Sequence, residues 1–106
     1  QLFERRGKME IAKTIIEQLG GTGRLNVMIG ATGFVAGEAN VMFSFKGSRK
    51  FNKIRITLNG LDLYDIEFMK YSPSKLAITK TESVENVYAD QLQELIEGRT
   101  GLFLSF

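Results

Sequence analysis

The chain has 106 residues, 14 Lys and Arg against 12 Asp and Glu, and no cysteine, histidine or tryptophan. That length fits one domain of globular composition, with 43% hydrophobic and 25% charged residues. The missing cysteines exclude a disulfide framework, thiol catalysis and Cys-ligated metals, and the missing histidines remove the usual general base and commonest metal ligand.

The first eight residues read as foreign to the domain. Glu4-Arg5-Arg6 can be encoded by a purine-rich run containing a bacterial ribosome-binding sequence, and Met9 follows at a suitable spacing. Residues 1–8 are therefore expected to be an extension outside the fold, either upstream sequence read in frame or an ordinary leader, and 9–106 a single domain. Three basic residues against one acidic fall in that segment, which leaves eleven of each sign in the remainder. The small net charge of +2 thus resides in the leader, and argues little for nucleic-acid binding by the domain.

From Glu10 to Leu19 the apolar residues Ile11, Ile15, Ile16 and Leu19 keep helical spacing, and Gly20-Gly21 ends the helix. The period then changes to two. Leu25, Val27 and Ile29 form the first alternating set, followed by Val41, Phe43 and Phe45, then Ile54, Ile56 and Leu58, then Tyr64, Ile66 and Phe68, and last Leu76 and Ile78. Polar loops at Gly37–Asn40, Lys46–Arg49, Asn59–Asp62 and Ser72–Ser74 separate these runs. After Thr81 the helical spacing returns with Val84, Val87, Tyr88, Leu92, Leu95 and Ile96, stopping at Gly98. Leu102–Phe106 reads as a final short strand. The expected fold is α+β: an antiparallel meander of about five or six strands packed against two helices.

Three clusters invite a functional reading. The glycines at 20, 21, 23, 30, 33 and 37 do not form a phosphate loop, because no Lys follows them to open a helix. Asp62, Asp65 and Glu67 could hold Mg²⁺ for a nuclease, but the following lysine, Lys70, falls out of phase with them. The basic stretch Lys46, Arg49, Lys50, Lys53 and Arg55, with Phe51 interleaved, is the stronger candidate binding surface. It could grip nucleic acid or an acidic protein patch, or be a solvated hairpin whose Phe51 tucks into the core. Phe103 and Phe106 would face opposite ways on the last strand, which offers a route to a homodimer through the C-terminal segment.

The segments Met9–Gly21, Met28–Phe34, Ile56–Asn59 with Asp62–Asp65, and Val87–Leu92 followed by Thr100-Gly101-Leu102 together resemble a family of small proteins of bacteriophages, prophages and bacterial mobile elements. The resemblance spans Met9–Phe106 and brings no activity and no site residues with it. It implies a phage-borne accessory protein in the bacterial host cytoplasm. The expected function is stoichiometric binding to a host or phage protein, including inhibition of a host defence system. No enzymatic activity, cofactor, metal or membrane is expected. The alternatives are an RNA- or DNA-binding accessory protein using the 46–55 hairpin and, behind it, the metal-dependent nuclease.

Overall fold

The structure, a computed structural model, describes residues 2–104, and their side chains from Glu10 onward. Two helices come first, α1 (Leu2–Gln18) and α2 (Thr22–Ile29). Five strands follow: β1 (Thr32–Ala36), β2 (Asn40–Ser44), β3 (Lys53–Leu58), β4 (Tyr64–Ser72) and β5 (Ala77–Val87). A 3₁₀ turn at Ala89–Gln91 leads into α3 (Leu92–Thr100). The strands pair as an antiparallel meander in the order β1-β2-β3-β4-β5, so the fold is α+β as the alternating pattern predicts.

One face of the sheet is apolar and carries the helices. Val41 and Phe43 on β2, Ile54 and Ile56 on β3, and Tyr64, Ile66 and Phe68 on β4 join Ile15, Leu19, Leu25, Ile29, Leu92, Ile96 and Leu104 in one cluster. The other face bears Arg55 opposite Glu67, Lys53 opposite Met69 and Thr57 opposite Asp65. This is the division that period-two alternation dictates for a sheet covered on one side. Met69 departs from it, being 5% exposed on the polar side.

Several local expectations are corrected, each for a physical reason. Residues 25–29 are helical, not a strand. In so short a run the apolar set Leu25, Met28 and Ile29 satisfies helical spacing as well as alternation does. Burial decides between them: Leu25 and Ile29 lie inside while Val27 is 73% exposed. Gly30, in the left-handed region at φ 64°, ends this helix. The first strand is instead Thr32–Ala36, within the glycine-rich stretch.

The apparent helix from Val84 is the end of β5. Ile66 pairs with Val84 and Tyr64 with Val87, so β5 spends one residue more than β4 over this interval. That bulge turns two inward residues three positions apart, which imitates helical spacing. Helix α3 begins only at Leu92, passes through Gly98 and stops at Gly101, whose φ is 77°. The sheet is therefore covered by three helices, not two. Leu76 (79% exposed) and Ile78 (43% exposed) point to solvent, not to the core. Residues 102–104 form no strand: the Leu104 N–H bonds to a Glu97 carboxylate oxygen at 2.8 Å. Phe106 lies outside the described residues, and Phe103 is exposed. No helix among the described residues is long and apolar enough to cross a membrane.

Burial pushes the Tyr64 phenol above its ordinary value of 10.0, with a hydrogen bond to Gln18 pulling the other way. Below that ordinary value the folded and unfolded chains both keep the proton, and the group contributes no pH dependence. Above it the unfolded chain ionises first, so stability falls as the solution becomes more alkaline. Urea unfolding between about pH 8 and about pH 11 should show a steeper alkaline loss for the wild type than for Tyr64→Phe. Parallel profiles would show that Tyr64 ionises as freely in the fold as outside it.

Candidate functional site

The sheet has two ends, and charge is sorted between them. At one end lie the loop from β2 to β3 and the hairpin joining β4 to β5. Residues 45–53 of that loop carry Lys46, Arg49, Lys50 and Lys53, and residues 68–81 of the hairpin carry Lys70, Lys75 and Lys80; neither segment holds an acid. At the opposite end, segments 37–39, 59–65 and 85–90 carry Glu38, Asp62, Asp65, Glu85 and Asp90, and no base. Between them the charges are paired, Arg55 with Glu67 at 3.3 Å and Arg99 with Glu82.

The basic end is built on a bonded joint. Phe45 N–H donates to the Asn52 carbonyl at 2.9 Å, continuing the β2–β3 ladder and leaving 46–51 as the loop. The Ser48 hydroxyl oxygen accepts from the N–H groups of Lys50 and Phe51 and tightens the loop from inside. Gly47, at φ 96°, has Leu102 so close that a Cβ would sit 3.2 Å from its methyl, so the chain past α3 packs directly on the loop. Asn52 then ties loop to hairpin. Its backbone N–H donates to Met69 O at 2.9 Å, its carboxamide NH₂ donates to Tyr71 O at 2.9 Å, and its carboxamide oxygen accepts from Tyr71 N–H at 2.8 Å. The side chain thus replaces the next residue of a strand where β3 has ended.

Two aromatic contacts place cations on either side of this joint. Lys53 Nζ lies over the Tyr71 ring at 5.8 Å, and Lys80 Nζ over the Phe51 ring at 5.2 Å. Phe51 itself is fully buried and packs on Phe68, with ring centroids 5.3 Å apart. Of the residues predicted from sequence, Lys46, Arg49 and Lys50 are therefore exposed at this end, and Lys53 is half-buried beside them. Phe51 is a core anchor with no face for a base to stack on. Arg55 lies further along β3, committed to Glu67.

Beyond Tyr71 the β4–β5 hairpin leaves the sheet as an arm. Its register shifts between Lys70 and Tyr71, and every residue from Pro73 to Thr81 is exposed. Leu76 stands at the turn with φ 52°, a left-handed conformation that costs a branched side chain about 1 kcal/mol or more. A run of 14 residues, 68–81, holding three lysines and no acid is the sequence signal for this arm. The alternating pattern masks it by assigning Leu76 and Ile78 to the core.

The carboxylates do not gather into a metal site. Asp65 accepts hydrogen bonds from Asn59 and from the Asn86 backbone, both at 3.0 Å, and Glu67 faces Arg55. Asp62 lies in the exposed 59–63 loop, which Asn59 organises by accepting from Leu61 and Leu63 N–H. Two open grooves run beside the sheet edges. The larger, about 830 Å³, lies between α1 and β1 over Ala12, Ile16, Phe34 and Val41; the other, about 600 Å³, lies between β5 and α3.

The joint at Asn52 has a testable energetic signature. Asn52→Ala removes two side-chain bonds and leaves the Tyr71 peptide without these partners, which should cost roughly 2 kcal/mol in denaturant unfolding. Hydrogen exchange at the Tyr71 amide should accelerate with it. A change under about 0.5 kcal/mol with unaltered exchange would mean that loop and arm hold together without Asn52. Compared with protein-family models, with curated proteins and with solved structures, the chain matches none.

Proposed function

We propose that this chain acts by stoichiometric binding to another macromolecule, covering a site on it, and not by turnover. The observation that supports this most directly is the sorting of charge along the sheet. Two segments distant in sequence bring seven cations and no anion to one end, while the opposite end is acidic. Like charges held together repel in the folded state, so their concentration works against stability and is compensated when a partner of opposite sign arrives.

The binding end is also stiff before any partner binds. Asn52 joins loop and arm, Phe51 anchors the loop in the core, and the rings of Phe51 and Tyr71 hold Lys80 and Lys53 in place. Pre-organised cations lose less conformational entropy on contact than mobile ones do. The setting proposed for this activity, a mobile-element protein acting inside a bacterial host, including inhibition of a defence system, rests on the motif resemblance alone.

The test is charge reversal at each end of the sheet. Tagged wild type, a basic-end variant (Arg49→Glu, Lys50→Glu, Lys75→Glu) and an acidic-end variant (Glu38→Lys, Asp90→Lys) are expressed in bacteria, crosslinked and analysed quantitatively. One class of macromolecule, protein or nucleic acid, should be recovered at roughly one occupied site per chain with the wild type and the acidic-end variant, and reduced roughly tenfold or more with the basic-end variant. Equal recovery by all three, or recovery of nothing in stoichiometric amount, would sink the proposal.

A further inference from the structure

We infer that the partner of the basic end is a nucleic-acid duplex of B form, with the β4–β5 arm seated in its major groove. This rests on the binding function proposed above and narrows it to one class of partner. The shape argument comes first. The arm is a two-stranded ribbon, and a major groove about 12 Å wide admits such a ribbon. Beyond Tyr71 the chain has one extended residue, Ser72, and the four-residue turn 73–76, a projection of roughly 7 Å that fits within a groove depth of about 8.5 Å.

The charges are arranged for walls on both sides. At the base of the arm, Lys53 of β3 lies on the face that carries Tyr71, and Lys80, paired with Lys70, on the face turned to Phe51. A ribbon in a groove has a phosphate backbone along each flank, so cations on both faces are used. A flat acidic patch on a protein would meet only one of them.

The tip supplies the second observation. Leu76 is 79% exposed and held at φ 52°, where glycine would be at ease. The Leu76 side chain takes no part in the buried core, although its N–H closes the turn on the Pro73 carbonyl. In a groove it would meet thymine methyl groups or the edge of a base step. Single strands fit less well, because binding them draws on stacking platforms and Phe51 is buried.

The experiment is fluorescence anisotropy of the full chain against a labelled mixed-sequence DNA duplex of about 20 base pairs, across a salt series. The same-length single strand and a polyglutamate peptide are run beside it. The duplex should bind best, with log Kd linear in log salt. Arg49→Gln, Lys50→Gln, Lys75→Gln should lower the slope by nearly 3, about 0.9 for each phosphate no longer neutralised. Leu76→Gly should weaken duplex binding roughly threefold to tenfold with the slope unchanged and the thermal midpoint no lower than wild type. Preference for the single strand or the peptide, with the triple variant still defective, overturns the duplex and leaves the binding function standing. Duplex binding indifferent to the triple variant would trace to other cations such as Arg5, Arg6 and Lys8, and overturns the inference. If none of the three probes binds at low salt, the duplex is again overturned; the function itself then fails only where charge reversal also leaves cellular recovery unchanged.

Discussion

The arrangement of the basic end depends on one side chain acting as backbone. Strand β3 starts at Lys53, yet β4 continues past it, and the peptide of Tyr71 would have no neighbour on that side. Asn52 fills the position with its carboxamide, donating and accepting at hydrogen-bond distance as a strand residue would. Without that pair the arm would be a free two-stranded ribbon, a structure of marginal stability in water. With it, the base of the arm at Tyr71 is held to the sheet, and the adjacent loop is fixed to that base. Phe51 completes the anchor, because an aromatic ring in the core cannot leave without opening a cavity.

That rigidity gives the electrostatics their meaning. Outside the first eight residues the positive and negative charges balance, which on its face describes a surface with no preference for polyanions. Balance over the chain says nothing about balance over a surface. The meander returns the chain to the same end of the sheet at the β2–β3 loop and again at the β4–β5 turn, and both returns are basic. The returns at the other end are acidic. Net charge averages the two ends away, whereas a partner as large as one end experiences only the local field, over about 8–10 Å at ordinary salt.

The same topology explains how much of the molecule is legible in sequence. The first helix from Glu10 onward, the β2, β3 and β4 cores and the polar loops between them follow directly from periodicity, because each is a run long enough to favour one period. Helix α1 itself begins at Leu2, inside the segment that reads as an extension. Residues 25–29 mislead because five residues satisfy both periods. The end of β5 misleads because a bulge at Glu85-Asn86 places Val84 and Val87 on one side, and Asn86 adopts φ 58° there while its N–H bonds to Asp65. A bulge is set by its partner strand, so no local pattern announces it. The basic loop is legible as composition, but its alliance with the arm is not, since the 45–53 loop and the 68–81 hairpin come together only through strand pairing and the Asn52 bonds.

The fate of the three carboxylates shows why residue type and spacing alone misjudge chemistry. Asp65 and Glu67 do share one face of β4, as alternation requires. A metal needs carboxylate oxygens that are free to converge on one point. Asp65 instead spends Oδ1 on Asn59 and on the Asn86 backbone, holding the 59–63 loop and the β5 bulge together, and Glu67 is matched across the ladder with Arg55. Removing Asp65 would leave the Asn86 N–H without that acceptor in a left-handed turn, so its first duty is to the fold. The acids thus serve to close the end of the sheet opposite the arm. The cations at the arm, exposed at five of seven positions, retain the freedom to meet something outside the chain.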